Sequence, residues 1–421
     1  MAVVILVHVF FAFFAVGGSV LAVFSEWWGI KKKDNDYIRL ARSVSGFLSD
    51  MMKINGVLGV AIVVLTIGLW PPFGAFLYSM QFWPFLAEGG VFLLLMIFAV
   101  IYHNTWDSVS RGMHIFYGLC TAFFSIAAGV LINAIWAFMM VPGKWMETQS
   151  RWDAFNTPIL IESTFHIILP CLINGALLIF VWTYWKSTKP SEDQQYYAKV
   201  NRFTGVIGGT LLFLQPISGI SFLFKVKSAT EALPKPNPWA QLTGGAATPF
   251  LYTMIGLATV AVICTILYWV KGHEKGRKAL LAASIAMFIA FFIGGFTRER
   301  ARKPYLIWGT MRMDQQLTRA YQEKINPKEA IEQTGSGSQA VQAAPADGAQ
   351  VFKTFQCQAC HVYKGQGGSN GPDISNLSQR YDKKALMGFI NQPPEPANMV
   401  MPPFNGSEAE LEALADYLLK N

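Results

Sequence analysis

Charged side chains are scarce in this chain of 421 residues, since Asp, Glu, Lys and Arg together make up 14% of it. Soluble globular domains average about 25% charged residues. Hydrophobic residues account for 52% of the chain, and they form long runs separated by short charged loops. The composition therefore excludes an ordinary soluble enzyme and indicates a helical membrane protein with several spans.

Cysteine is also rare, and five residues are too few for a disulfide-rich fold. Three cysteines lie singly within apolar runs, where cysteine is usually an inert core residue: Cys120, Cys171 and Cys264. Only Cys357 and Cys360 are close together in sequence, and His361 follows them directly. A zinc site would need two more ligands, and the C-terminal region has no other Cys or His.

The N-terminal stretch "MAVVILVHVFFAFFAVGGSVLAVF" has neither a basic leader nor a small-residue cleavage site. We therefore expect it to be the first membrane span and not a cleaved signal peptide. The net charge of +8 resides mostly in loops between apolar runs. This placement favours control of membrane topology over binding to nucleic acid.

Eight apolar runs of suitable length predict an all-α polytopic membrane bundle. They cover roughly residues 2–24, 52–72, 85–103, 113–141, 158–185, 203–224, 248–270 and 279–297. Lys and Arg are concentrated in the loops after spans 1, 5 and 7, which predicts that the N-terminus and the chain after span 8 lie outside a bacterial cytoplasmic membrane. Three arginines after span 8 break this rule and suggest another role: Arg298, Arg300 and Arg302.

The chain after the last span divides into two further parts, so that the predicted domains are 1–304, 305–347 and 348–421. Residues 305–330 are polar, and we expect them to be helical in part. The stretch "QTGSGSQAVQAAPADGA", residues 333–349, has the composition of a flexible linker. A compact C-terminal domain follows it.

The motif "CQACH", residues 357–361, is typical of covalent haem attachment. Cys357 and Cys360 would form thioethers to the porphyrin, and His361 would bind the iron. In "NMVMPPFNG", Met401 is the preferred sixth ligand and Met399 its rival. The context of Met401 and the C-terminal amphipathic helix resemble small class I cytochromes c. This haem is assembled outside the cytoplasmic membrane, where the basic residues independently place the domain.

Few ionisable or ligating side chains occur within the predicted spans, and each is costly in lipid. Five of them fall in the outer half of the bilayer under the predicted topology: His8, Glu88, His166, Met254 and Glu299. Taken singly, each has an ordinary explanation as a core histidine, a packing methionine or an interfacial carboxylate. Their common depth favours haem-iron sites. His103 and His114 fall at inner helix ends, where we expect structural or proton-path roles.

Several stretches occur in the order seen in subunit I of cytochrome bd oxidases, which residues 1–305 resemble. They include "LAEGGVFLLL", "WDSVSRGMH", "STFHIILPCLINGALLIF", "LYTMIGLATV" and "RERARKPY". The resemblance implies that His166 and Met254 hold a low-spin haem b. It implies that His8 and Glu299 are ligands of one or two high-spin haems, b or d, with Glu88 beside them. Arg302 and its neighbouring arginines would offset haem propionate charges.

The chain departs from the family pattern at five places. The loop that binds quinol in the family is reduced here to about residues 226–247, and the ninth span of the family is missing. Met96 stands where the family has a second Glu that serves proton delivery, and Tyr252 replaces an Arg close to the low-spin haem. The Arg-Gln-Pro-Trp motif of the family reads Arg302-Lys303-Pro304-Tyr305.

The resemblance implies a terminal oxidase in which electrons from a periplasmic c-type cytochrome pass through haem c and haem b to dioxygen. Its partner would be a second bd-like subunit or a second copy of the chain, in contact with membrane lipid. The missing loop and Met96 leave a quinone–cytochrome c oxidoreductase open as the alternative. A haem-bearing scaffold subunit without oxygen chemistry is a third interpretation.

Overall fold

The computed structural model describes residues 2–189, 193–325, 347–355, 357–367, 371–394, 401, 404 and 406–420. The chain forms two compact units, the first made of Met1–Ala229 and Pro249–Thr297, the second of Thr230–Thr248 and Arg298–Asn421. The second unit therefore contains the link before span 7 and the end of span 8 in addition to residues 305–421. Residues 333–346 of the predicted linker, and Met399, lie outside the described residues.

Eight helices in the described part are long and apolar enough to cross a membrane, which confirms the predicted number of spans. They are α1 (Ala2–Lys32), α2 (Asn35–Leu69), α4 (Phe82–Asn104), α5 (Arg111–Met140), α8 (Leu160–Ser187), α9 (Gln194–Thr230), α11 (Thr248–Lys271) and α12 (His273–Ala301). Short helices connect them: α3 (Pro71–Met80), α6 (Trp145–Thr148), α7 (Arg151–Phe155) and α10 (Pro238–Thr243).

Several of these helices extend beyond the predicted spans. Hydropathy identifies only the apolar part of a helix that lies in lipid, whereas the helical backbone hydrogen bonds continue into the polar residues on either side. The largest extension is at the start of α2, where the side chain of Asp34 accepts a hydrogen bond from the amide of Asp36. The ammonium of Lys199 pairs with the Asp34 carboxylate and lowers its pKa. Gly272 has φ +77°, a conformation that suits glycine, at the tight turn between α11 and α12.

Helix α1 packs against α2, α5 and α8, and its closest approach is to α8. A Cβ atom built on Gly17 would overlap the carbonyl of Cys171, and one built on Gly175 would overlap the backbone of Gly17. Small residues of this kind allow two membrane helices to meet backbone to backbone. An apolar cluster around Phe180 and Tyr268 joins α8, α9, α11 and α12.

A buried polar cluster joins α1, α4 and α5. The hydroxyl of Tyr102 donates to Glu26 Oε2 at 2.8 Å, and His114 Nδ1 lies 2.7 Å from Glu26 Oε1. The other ring nitrogen of His114 lies 2.9 Å from the carbonyl oxygen of Tyr102. Glu26 and His114 are 3% and 2% exposed. Because both of its nitrogens are engaged with protein, His114 is placed to fix three helices together.

The segment after α12 contains a hairpin where the sequence predicted partly helical structure. Strands β1 (Tyr305–Ile307) and β2 (Met311–Arg312) pair antiparallel, and α13 (Arg319–Ile325) follows. The hairpin is anchored to the link before α11, since Trp308 Nε1 donates to the carbonyl of Pro236 at 3.0 Å. Gln241 Nε2 likewise donates to the carbonyl of Lys303 at 3.0 Å.

The described part of the C-terminal domain consists of helices, 3-10 turns, irregular segments and one short hairpin. Its elements are α14 (Gly348–Thr354), a 3-10 turn (Cys357–Ala359), β3 (Val362–Tyr363), β4 (Gln366–Gly367), a second 3-10 turn (Leu377–Gln379), α15 (Lys383–Asn391) and α16 (Glu408–Leu419). Helices α14 and α16 pack closely, because a Cβ atom at Gly348 would overlap the carbonyl of Ala413. Ser407 and Glu410 form a capping box at the start of α16.

We expect Gly17→Ala to destabilise the first unit, because the added methyl group has no room at the crossing of α1 and α8. Overpacking of this kind costs about 1–3 kcal/mol. Thermal unfolding of the detergent-solubilised protein measures the effect. Gly112→Ala on α5 is the matched control, since no atom lies within 4 Å of its added Cβ. Equal melting temperatures for the two variants would show that the helices do not meet here.

Candidate haem-binding sites

The motif at residues 357–361 has the local geometry that haem attachment needs. His361 Nδ1 lies 2.9 Å from the carbonyl oxygen of Pro372, so its N–H donates there and Nε2 remains for iron. Gly371 has no room for a side chain, because a Cβ atom would lie 2.7 Å from the His361 ring. Burial raises the pKa of Cys357 to about 11, and it also raises the pKa of Cys360. These residues fit a covalently held haem.

Met401 lies in the apolar cluster of the C-terminal domain, together with Phe355 and Phe404. The rings of Phe355 and Phe404 are 4.5 Å apart, and they link the start of the attachment motif to the segment after Met401. The structure therefore brings the two loops that would flank the haem into one cluster. That Met401 binds the iron stays a prediction.

His166 on α8 faces two polar side chains of α9. Its Nδ1 lies 3.3 Å from Ser218 Oγ and 3.2 Å from Gln215 Nε2, while Gln215 Oε1 is buried without a hydrogen-bond partner among the described residues. The assignment of amide O and N is interchangeable, so a rotated Gln215 accepts from the Nδ1–H group of His166. Gly219 packs on the ring, where an added Cβ would lie 3.3 Å from Cε1. This arrangement again leaves Nε2 for iron.

Met254 on α11 is half-buried, and its sulfur packs against Gly294 on α12. A Cβ atom at Gly294 would lie 3.2 Å from Met254 Sδ. Cβ atoms built at Gly256 and Gly295 would have nothing within 4 Å. Tyr252, which replaces a family arginine, is 65% exposed. The thioether therefore packs against a glycine of the neighbouring helix, and that Met254 binds iron stays a prediction.

His8 on α1 is held in the same way as the other two histidines. Its Nδ1 lies 3.2 Å from the carbonyl oxygen of Asn55, and an added Cβ at Gly59 would lie 3.2 Å from its Cε1. Glu88 on α4 is half-buried, and its carboxylate makes no hydrogen bond or ion pair within the described part of the chain. Met96, further along α4, packs in the apolar cluster around α1 and α2.

His8 and His166 lie at equivalent levels of their helices. Each is nine residues before the glycine at the crossing of α1 and α8, from 8 to 17 and from 166 to 175. Nine residues of helix span about 13 Å. Both imidazoles therefore lie at a similar distance from the crossing, which supports the common depth that the sequence suggested.

Glu299 in the last turn of α12 is held by two cations. Its Oε2 accepts from Arg302 Nη2 at 2.6 Å, and its Oε1 accepts from Lys303 Nζ at 2.8 Å. Burial lowers the pKa of Lys303, although the Glu299 carboxylate opposes this shift. Arg302 also donates to the carbonyl of Leu306, so its contacts differ from the propionate pairing that the resemblance implied. Arg302 Nε also donates to Oε2 at 3.1 Å, so that oxygen accepts two hydrogen bonds, whereas Oε1 accepts one and keeps a lone pair that fits iron ligation.

Sequence reasoning missed three residues that the structure places at these sites, and it also missed Glu26 in the buried cluster with His114. Glu26 lies two residues beyond the predicted end of span 1, and its charge within a helix was the available signal. The backbone of Asn55 and the amide of Gln215 act through tertiary contacts that no sequence spacing reveals. Lys303 pairs with Glu299 four residues earlier, so its helical spacing was the available signal.

Comparison with protein families assigns both parts of the chain. The family described as cytochrome bd terminal oxidase subunit I matches residues 1–228, which is more than half of the chain. The family described as cytochrome C oxidase, cbb3-type, subunit III matches residues 343–418. The chain therefore belongs to the cytochrome bd subunit I family, and its C-terminal domain matches a cytochrome c family.

Individual relatives agree with this assignment. A Bacillus subtilis (strain 168) protein described as "Putative cytochrome bd menaquinol oxidase subunit I" is 25% identical over 228 residues, which is 50% of each chain. The present chain thus spans about half the length of that relative. The bd oxidase structure from Geobacillus thermodenitrificans aligns with a TM-score of 0.64 and 19% identity over 73% of this chain and 86% of that chain. This likeness shows the fold.

We expect Gly294→Val to displace the sulfur of Met254, because the branched side chain occupies the space that the thioether needs. If Met254 is the axial ligand, the low-spin haem spectrum should convert to a high-spin form. Gly295→Val is the matched control on the same helix, since its added atoms meet nothing within 4 Å. Optical and electron paramagnetic resonance spectra of both proteins test this, and unchanged spectra in Gly294→Val contradict the assignment.

Proposed function

We propose that this chain is the haem-bearing subunit of a bd-like terminal oxidase that receives electrons through its own cytochrome c domain. When bound, haem irons supply one-electron transfer and, at an open coordination position, the reduction of dioxygen to water. One observation carries the proposal. His8, His166 and His361 each engage Nδ1 with protein and keep Nε2 for iron.

The candidate residues form two groups, according to whether a haem would receive two side-chain ligands or one. His361 with Met401, and His166 with Met254, supply two side chains each, which suits haem c and a low-spin haem b that transfer electrons only. His8 and Glu299 are single ligands, which suits one or two high-spin haems, b or d. Glu88 lies half-buried without an ion pair within the described chain and is suited to hold a proton near them.

A c-type electron donor fits this chain better than quinol does. The link between α9 and α11 is short, and Gln241 and Pro236 within it are engaged with the segment after α12. We propose that a periplasmic cytochrome c supplies the electrons, with the N-terminus and the haem c domain on the outer side. Each dioxygen consumes four electrons and four protons, and the protons come from the inner side.

The assembly we propose contains a second bd-like subunit or a second copy of this chain, surrounded by membrane lipid. The alternative function is a quinone–cytochrome c oxidoreductase without oxygen chemistry. Met96 favours it, because an apolar side chain in the cluster around α1 and α2 cannot relay protons.

An oxygen electrode with the purified holoprotein separates these functions. We expect oxygen uptake with reduced cytochrome c, and His166→Ala should abolish it while the haem c spectrum persists. His273→Ala is the control. His273 lies at the start of α12 and contacts Tyr268 of α11, so its substitution should change oxygen uptake by no more than about twofold.

Two results would contradict the proposal. Full oxygen uptake in His166→Ala would remove the low-spin haem from the route. Quinol-driven reduction of an external cytochrome c without oxygen uptake would establish the alternative function.

A further inference from the structure

Hydrogen bonds of the hairpin after α12 hold the backbone of Arg312 in place. The amide of Arg312 donates to the carbonyl of Gln316 at 2.9 Å, and the amide of Thr318 donates to the carbonyl of Thr310 at 2.8 Å. Trp308 ties the same hairpin to the carbonyl of Pro236. The backbone of Arg312 is therefore fixed from both sides.

The side chain of Arg312 contacts the C-terminal domain directly. Its Nη2 donates to the carbonyl of Phe355 at 3.0 Å, and the guanidinium carbon lies 5.4 Å from the centre of the Phe355 ring. Asp314, whose side chain is 6% exposed, lies 3.3 Å from the same nitrogen. A planar guanidinium can make a hydrogen bond, a ring contact and an ion pair together, which a lysine cannot reproduce.

The side chain of Phe355 links the two loops that would bind haem c. It stands two residues before Cys357, and the centre of its ring lies 4.5 Å from that of Phe404, which follows Met401. Gly406 has no room for a side chain against these two rings. A residue that holds Phe355 therefore holds the cysteine loop and the methionine loop at once.

We propose that Arg312 is a positioning residue that docks the cytochrome c domain onto the hairpin Tyr305–Arg312, through its contact with Phe355 just before the attachment cysteines. The docked domain then exchanges electrons with haems of its own chain and does not act solely as a tethered carrier. This inference rests on the proposed function. A fixed cation close to haem c also favours its reduced state, since reduction lowers the positive charge on the iron.

The test uses the full-chain holoprotein with Arg312→Ala and Arg312→Lys. The control is Arg380→Ala, an exposed arginine of the same domain that donates to the carbonyl of Asp373. Three quantities are measured: the rate of electron transfer from flash-reduced haem c to the membrane haems, the midpoint potential of haem c, and hydrogen exchange of the hairpin.

Arg312→Ala should slow the transfer about tenfold, lower the potential and increase hydrogen exchange at residues 305–318. Arg312→Lys should restore the potential but recover the rate only in part, because the charge returns without the planar contact. Arg380→Ala should change none of the three. Asp314→Asn, which loosens Arg312 without removing it, serves where Arg312→Ala fails to fold, and it should give an intermediate rate.

Wild-type rate and exchange in Arg312→Ala would overturn the docking proposal. The exchange measurement does not depend on the membrane haems. Loss of hairpin protection in Arg312→Ala, with no transfer from haem c in the wild-type protein, would therefore support docking and contradict the proposed function.

Discussion

A histidine inside a membrane bundle can serve iron only when its ring is already oriented, and the Nδ1 hydrogen bond provides that orientation. His8 uses a backbone carbonyl of α2, His361 uses the carbonyl of Pro372, and His166 uses side chains of α9. His114 shows the contrast, since both of its nitrogens are engaged and its role is to join helices. The same residue type thus shows two hydrogen-bonding patterns, and we propose iron binding only for the first.

Glycine supports this arrangement at each candidate ligand. Gly59, Gly219 and Gly294 bring a neighbouring helix against His8, His166 and Met254, so that each ligand is held without being displaced. The crossing at Gly17 and Gly175 brings α1 and α8 together, and it relates the levels of the two histidines. Helix contact and ligand position are therefore consequences of the same small residues.

Hydropathy predicted the eight spans because lipid requires long apolar helices, and residue spacing predicted the haem-binding domain because thioether attachment demands it. The hairpin after α12 was missed, since its buried residues Leu306 and Ile307 form a run too short to be recognised. Glu26 and Arg312 were missed because their significance depends on partners distant in sequence. The ion pairs that Arg302 and Lys303 make with Glu299 span three and four residues, so helical spacing could have predicted them, whereas a comparison of motifs did not.

The proposed function requires that iron is held at two places, in the membrane bundle and in the C-terminal domain. Acid-acetone extraction of the purified chain separates haem that is covalently bound from haem that is held by ligands alone. The account predicts one covalent haem c and two or three extractable haems per chain, including one of low-spin b type. A protein that releases no haem on extraction, although its covalent haem is fully incorporated, would contradict it.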